Sequence, residues 1–140
     1  LNEKGRDIQI VDFNPEFKDC LYFVYLNKKQ NSRDAIKSYR ENTSDLSQVI
    51  TETNKITNAI ISCQSLSEFN VLLDKHEQII GSILKKTPIK DQLFNNFNGC
   101  IKSLGAWGGD FVLVTSKENP SAYFKAKGFE TIIPYNDIIL

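Results

Sequence analysis

The chain has 140 residues, of which 41% are hydrophobic and 24% are charged, and its 17 basic and 17 acidic side chains cancel to a net charge of zero. These values are typical of a single globular domain. Nucleic acids and anionic membranes attract proteins with a basic excess, so we expect neither as a partner. No apolar run approaches the roughly 20 residues of a membrane span, and no signal-peptide pattern is present, so we expect a cytoplasmic protein.

Cysteine and histidine are too sparse for a disulfide framework or a metal site. The three cysteines form no C-x-x-C pair, and the single histidine, His76, lies in a different segment from Cys63. This pattern fits a reducing compartment. His76 lies on the apolar face of a predicted helix, where we expect a structural role.

The first part of the chain predicts two strands. Residues 7–13 alternate polar and apolar side chains, as a half-buried strand does, and Asn14-Pro15 ends the pattern. Residues 20–26 form a continuous apolar and aromatic run, which favours a strand at the centre of a sheet.

The middle of the chain predicts three or four consecutive helices, with capping signals at Ser32, Thr43 or Ser44, Ser65, and Thr87 with Pro88. The third opens with a capping box formed by Ser65 and Glu68. The short fourth helix carries four apolar residues, Ile89, Leu93, Phe94 and Phe97.

The last part returns to strands, predicted at 99–104, 110–115 and 129–133, with a helix at 121–127 that Gly128 ends. The order of elements predicts an α+β fold, with a ferredoxin-like antiparallel sheet and several helices packed on one face.

A glycine-rich loop at 105–109 joins two of these strands and is the most informative segment. It has three glycines in five residues, more than a tight hairpin needs. Glycines let consecutive backbone N–H groups converge on an anionic oxygen. A bulged hairpin without a ligand is the alternative that the glycine pattern leaves open.

Residues 102–110 resemble the third, C-terminal motif of the GHMP kinases, the superfamily of galacto-, homoserine-, mevalonate- and phosphomevalonate kinases. The matching positions, which precede an apolar strand at 111–114, are Lys102, Gly105, Ala106 and Gly109. The chain departs from the motif at Leu104, which replaces a hydroxyl residue, and at Trp107 and Asp110, which replace glycines.

Two further segments extend the resemblance over most of the chain. Residues 20–35 are similar to the strand, basic loop and helix start that open the C-terminal half of mevalonate-type kinases, and residues 121–134 resemble its closing helix and strand. Bacterial mevalonate kinase-like proteins are closest in character. Since the chain begins with Leu1 and contains no methionine, we interpret 1–17 as a junction strand from a missing N-terminal domain and 18–140 as a GHMP kinase C-terminal domain.

The resemblance implies an ATP-dependent kinase that transfers phosphate to a hydroxylated metabolite, such as mevalonate. In this superfamily the main phosphate-binding loop and the catalytic acidic residue lie in the N-terminal domain. That domain would be the partner of this chain and would hold most of the ATP and Mg²⁺. No catalytic residue and no metal ligand is therefore assigned here, and the isolated fragment is expected to be inactive.

Two candidate sites follow. The first is the substrate and phosphate loop, formed by Ser103, Gly105, Ala106, Trp107, Gly108, Gly109 and Asp110; its tryptophan would either stack on a ligand or fill a domain interface. The second is a set of anion contacts at a predicted helix start, Lys28, Lys29, Asn31 and Ser32. The alternative for the second set is a solvated loop with a capping serine.

Two other functions stay open at this point. One is a stand-alone ferredoxin-like ligand-binding or regulatory module, with the glycine-rich loop as its small-molecule site. The other is an interaction domain that pairs through an exposed sheet edge, since unpaired strand edges accept further strands. The identity of the acceptor and the formation of a homodimer are also open.

Overall fold

The computed structural model describes residues 13–27, 47–104, 107 and 109–138. These residues form four strands: β1 Leu21–Tyr25, β2 Ile101–Ser103, β3 Phe111–Thr115 and β4 Ile132–Pro134. They also form five helices: α1 Ser47–Ile61, α2 Leu66–Leu84, α3 Ile89–Leu93, α4 Ser121–Ala126 and α5 Tyr135–Ile138. A 3-10 turn at Lys18–Cys20 leads into β1.

The four strands form one antiparallel sheet in the order β2-β3-β1-β4. β1 lies in its interior, where Tyr22 faces Val114 of β3 on one side and Pro134 of β4 on the other. Helices separate β1 from β2 and β3 from β4, which gives the order of a ferredoxin-like domain. The predicted α+β class, with helices packed against an antiparallel sheet, is confirmed.

Alternation along the strands buries apolar side chains on both faces of the sheet. Val24 and Val112 are cross-strand partners and share one cluster with Phe94, Phe124 and other residues of α3, α4 and the turn after α3. Leu21, on the other face, belongs to a second cluster, which includes Phe17, Cys63, Phe69, Leu73 and Cys100. Helical residues contribute to both clusters.

The predicted elements agree with the structure over most of the described residues. The strands at 20–26, 99–104 and 110–115 and the helices at 65–84 and 121–127 are present with slightly shorter bounds. The segments 7–12 and 32–39, predicted as strand and helix, lie outside the described residues.

Two elements near the C-terminus differ from their predictions. The final strand begins at Ile132 rather than Phe129, because Phe129 packs its ring on Phe94, with centroids 5.3 Å apart. The short helix α5 has no helical periodicity to predict it, and its Tyr135 ring stacks on Phe23 with centroids 6.2 Å apart.

Local signals set the ends of α2. The Ser65 hydroxyl oxygen accepts a hydrogen bond from the Glu68 N–H at 3.2 Å, one half of the predicted capping box. At the other end Lys85 adopts a left-handed conformation, and the Lys86 N–H donates to the Gly81 carbonyl at 3.0 Å.

Among the described residues, no helix combines the length and the apolar character that crossing a bilayer requires. The sheet ends on one side at β2 and on the other at β4, whose last residue is Pro134.

Two glycines allow a direct test of the backbone constraints. Gly99 has φ 153°, and a Cβ there would lie 2.1 Å from the Thr115 carbonyl oxygen, whereas Gly128 has φ 94° and open space around it. Gly128→Ala should cost about 1–2 kcal/mol of unfolding free energy through conformation alone. Gly99→Ala adds a clash with backbone and should cost clearly more. Urea denaturation measures both, and equal losses would contradict the close approach of Gly99 to β3.

Candidate functional site

The structure describes part of the predicted substrate and phosphate loop. Ser103, Trp107, Gly109 and Asp110 are among the described residues, whereas Gly105, Ala106 and Gly108 lie outside them. The predicted anion contacts at Lys28, Lys29, Asn31 and Ser32 also lie outside them.

The loop is carried by the antiparallel pair of β2 and β3, as predicted. Leu104 donates its N–H to the Phe111 carbonyl at 3.2 Å, which closes the ladder at the base of the loop. Asp110 has φ 57°, in the left-handed region. Aspartate enters this region more readily than most residues, which explains how it can stand where the GHMP motif has glycine.

The Trp107 side chain is buried against α2, with only 6% of its surface exposed. A Cβ on Gly81 would lie 3.3 Å from Trp107 Cη2 and 3.0 Å from the Lys86 carbonyl oxygen. The absence of a side chain at position 81 therefore makes room for the indole. The sequence left ligand stacking and a domain interface open for Trp107, and the structure shows its ring on the domain's own helix.

A buried ion pair joins α2 to the strand that leads into the loop. Glu77 is 2% exposed, and its Oε1 lies 3.1 Å from Lys102 Nζ. Its Oε2 accepts the Ser103 N–H at 3.1 Å, and Lys102 Nζ donates to the Ser103 carbonyl at 3.0 Å. Both charges are compensated, and the basic residue of the predicted motif is held by the helix.

Ser103 itself is 5% exposed, and its Oγ has no hydrogen-bond partner among the described residues. An unpaired buried hydroxyl is costly, so it marks a position where a partner would be stabilising.

An open depression of about 350 Å³ lies beside the loop, lined by Phe23, Leu104, Asp110, Phe111 and Ile138. Four of these side chains are apolar. Asp110 supplies the single carboxylate, and no described residue donates a hydrogen bond to it. The depression can therefore hold an apolar group while a carboxylate accepts a hydrogen bond from a hydroxyl or ammonium group.

The end of β1 lies against the end of the glycine-rich loop. Leu26 donates its N–H to the Asp110 carbonyl at 2.8 Å. Asn27 follows with φ 62°, and its Nδ2 donates to the Gly128 carbonyl at 2.9 Å. Lys28 and Lys29 follow Asn27 directly in the sequence. The β1–β3 pairing that brings Leu26 to Asp110 has no signature in the sequence.

Cys63 and Cys100 offer no activated nucleophile. Burial, and secondly the hydrogen bond from Cys100 Sγ to Asp74 Oδ1 at 3.0 Å, raises the pKa of the Cys100 thiol far above its usual range. Burial also raises the pKa of Cys63. A catalytic cysteine needs the opposite shift.

A larger cleft, which the sequence did not indicate, lies at the other end of β2 and β3. Its volume is about 580 Å³, and its lining comes from α2, the turn before β2, the loop after β3 and α4. Four separate segments contribute to it, and only the folded sheet brings them together.

Comparison with known protein families, with curated proteins and with solved structures finds no match to this chain. The kinase resemblance consequently remains an inference from the motif.

The buried ion pair makes a stability prediction. Glu77→Gln removes the carboxylate charge and leaves Lys102 without its partner, so we expect a loss of about 3 kcal/mol in unfolding free energy. The double variant E77Q/K102M should recover part of that loss, because the unpaired charge is then absent. Urea denaturation of the native protein, E77Q, K102M and the double variant gives the coupling energy, and strictly additive losses would show that the two side chains do not interact.

His76 makes a pH prediction. Burial lowers the pKa of its imidazole, the nearby Lys102 lowers it further, and Glu77 opposes the shift. The unfolded chain therefore takes up a proton near pH 6.5, its ordinary pKa being about 6.5, while the folded protein does not. Stability should fall as the pH drops below about 6.5.

Because His76 is the only histidine in the chain, His76→Gln isolates this effect. The variant should lose less stability than the native protein between about pH 7.5 and about pH 5.5, as read from urea midpoints. An identical pH dependence in the two proteins would show that His76 is not desolvated.

Proposed function

We propose that this chain is the C-terminal domain of an ATP-dependent small-molecule kinase of the GHMP type, which phosphorylates a hydroxylated metabolite, with mevalonate as the first acceptor to test. The observation that carries the proposal is the hydrogen bond between Leu26 and Asp110. It joins the glycine-rich loop to the strand that leads into the basic segment at 28–32. Both of these segments are suited to anions by sequence.

The topology supports the proposal. The opening strand, the closing helix and the final strand on which the resemblance depends are present as β1, α4 and β4. Fold alone does not establish an activity, so the argument depends on the loop and the depression beside it.

The proposed roles follow from the chemistry of phosphoryl transfer, which depends mainly on positioning and on stabilising charge. The backbone N–H groups of residues 105–109 would hold an anionic oxygen. The Asp110 carboxylate would accept the hydrogen bond of the acceptor's hydroxyl group. The apolar walls, Phe23, Leu104, Phe111 and Ile138, would hold the hydrocarbon part of the same molecule.

Helix α2 would position the loop. Trp107 rests on Gly81, and Glu77 binds both Lys102 and the Ser103 N–H. These contacts fix the strand entering the loop before any ligand arrives, which lowers the entropy cost of binding. Ser103 is too deeply buried to meet a ligand directly in this conformation, so the proposal gives the hydrogen-bonding role to Asp110.

ATP and Mg²⁺ would be held mainly by a second domain. In the described part of the chain, no group of three or more His, Cys, Asp or Glu side chains could hold a metal ion. The proposal therefore assigns Mg²⁺ to no described residue, and this chain alone should fold without turning over substrate.

The activity is tested by coupled ADP release from the polypeptide encoded by the complete reading frame, with mevalonate, phosphomevalonate, homoserine and galactose as acceptors. ADP release that depends on one acceptor would support the kinase and identify its substrate. A folded protein that neither binds ATP nor releases ADP with any acceptor would contradict it and favour a ligand-binding module.

Asp110→Asn tests the role of the loop carboxylate in that assay. Asparagine also tolerates the left-handed conformation, so the fold should be kept. Losing a hydrogen bond to a charged group should lower kcat/KM by about 10- to 100-fold. Glu52→Gln, on the exposed surface of α1, is the matched control and should be fully active. Equal activity of the two variants would remove Asp110 from the site.

A further inference from the structure

The cleft at the end of the sheet opposite the glycine-rich loop has the features of a ligand site. Its volume of about 580 Å³ is within the range of about 300–1,000 Å³ found for small-molecule sites. Phe97 and Tyr123 form an aromatic wall, with ring centroids 4.9 Å apart, and Leu66 and Pro120 add further apolar surface.

Three asparagines that line the cleft have their side-chain oxygens engaged within the protein. Asn70 Oδ1 accepts from the Thr115 hydroxyl at 2.7 Å, and Thr115 Oγ1 is itself fixed by the Cys100 N–H at 2.9 Å. Asn96 Oδ1 accepts from the Tyr123 hydroxyl. Asn119 Oδ1 accepts from the Ser121 N–H at 2.9 Å.

Two of these bonds fix the orientation of their amides, and in the third the Tyr123 hydroxyl donates to Asn96 Oδ1. The Ser121 N–H can only donate, and the Thr115 hydroxyl already accepts from Cys100, so its proton is directed to Asn70. No described residue accepts a hydrogen bond from the Nδ2 of Asn70, Asn96 or Asn119. Three amide NH₂ groups are therefore available to the cleft as donors.

Charge does not oppose an anion in the cleft. Lys117 and Glu118 both line it, are both exposed and offset one another. Lys117 adds a further donor, whereas the Ser116 hydroxyl is turned towards the Glu118 carbonyl at 2.6 Å. The three amide NH₂ groups and Lys117 favour a ligand group that accepts hydrogen bonds, which is the chemistry of carboxylates and phosphates.

We propose that this cleft is a second binding site, for a small molecule that carries a carboxylate or phosphate group and an apolar portion. The oxyanion accepts from the NH₂ groups of Asn70, Asn96 and Asn119, and the apolar portion rests on Phe97 and Tyr123. The site is separate from the proposed reaction centre, because the five residues of β3, at about 3.4 Å each, place it roughly 17 Å from the glycine-rich loop.

Asparagine side-chain NH₂ signals in a ¹⁵N–¹H correlation spectrum report on the site directly. Titration of the ¹⁵N-labelled full chain with inorganic phosphate, and separately with malonate, should produce saturable shifts in the signals of Asn70, Asn96 and Asn119. Comparison of the two probes distinguishes a phosphate from a carboxylate preference. Glycerol, whose hydroxyl groups both donate and accept, should give much smaller shifts.

The variant Asn70→Asp is matched in shape. Its carboxylate still accepts from the Thr115 hydroxyl, but the NH₂ donor is lost and a negative charge takes its place, so binding of the preferred probe should weaken at least about tenfold. Asn54→Asp, on the exposed surface of α1, introduces the same charge outside the cleft and should bind normally.

Three outcomes would overturn the proposal. One is the absence of saturable shifts with phosphate and with malonate. Another is unchanged binding in Asn70→Asp, and the third is glycerol shifts as large as those of the anions. None of these outcomes depends on kinase activity, so the titration tests this site independently of the proposed function.

Discussion

The pairing of β1 with β3 is the constraint on which the rest of the structure depends. Residues near the start of the described chain face residues some ninety positions later, from Leu21 opposite Thr115 to Tyr25 opposite Phe111. At one end this register places Leu26 on Asp110, beside the glycine-rich loop. At the other end it places the Ser116 N–H on the Cys20 carbonyl, beside the larger cleft. A shift of one residue would turn Val24 out of its cluster and separate both pairs of loops.

Helix α2 provides the second constraint, because it lies along the strand that enters the loop. Three of its side chains reach β2, β3 or the residue before β2: Asn70 bonds to Thr115, Asp74 to Cys100, and Glu77 to Lys102 and Ser103. Their spacing of four and three residues places them on one face of the helix. The same helix thus touches both the cleft and the base of the loop. A shift of α2 would therefore change the geometry of both the cleft and the base of the loop.

Local sequence signals predicted the elements well where the cause was itself local. The Ser65 cap, the apolar run of β1 and the stop at Gly128 each act within a few residues, and each is present in the structure. The glycine-rich hairpin was predicted for the same reason. The ion pair of Glu77 with Lys102 spans 25 residues, and neither residue carries a pattern that identifies the other.

The two candidate sites were predictable to different degrees for the same reason. The glycine-rich loop is continuous in sequence, so its composition was visible. The burial of Trp107 depends on Gly81 in α2. The larger cleft depends on asparagines from three separate segments. Asn119 gave only the signal of a helix cap, and isolated asparagines such as Asn96 are common in turns, so neither indicated a ligand site until the fold brought them to one place.

The two edge strands of the sheet, β2 and β4, affect whether copies of the chain aggregate at high concentration. Strand borders with unpaired N–H and C=O groups recruit further strands and lead to aggregation. At β2 the Glu77 carboxylate takes the Ser103 N–H, and α2 lies in the way of an incoming strand. At β4 the strand is three residues long and ends in Pro134, which has no N–H to donate. Within the described residues, both borders are thus poor templates for uncontrolled strand addition.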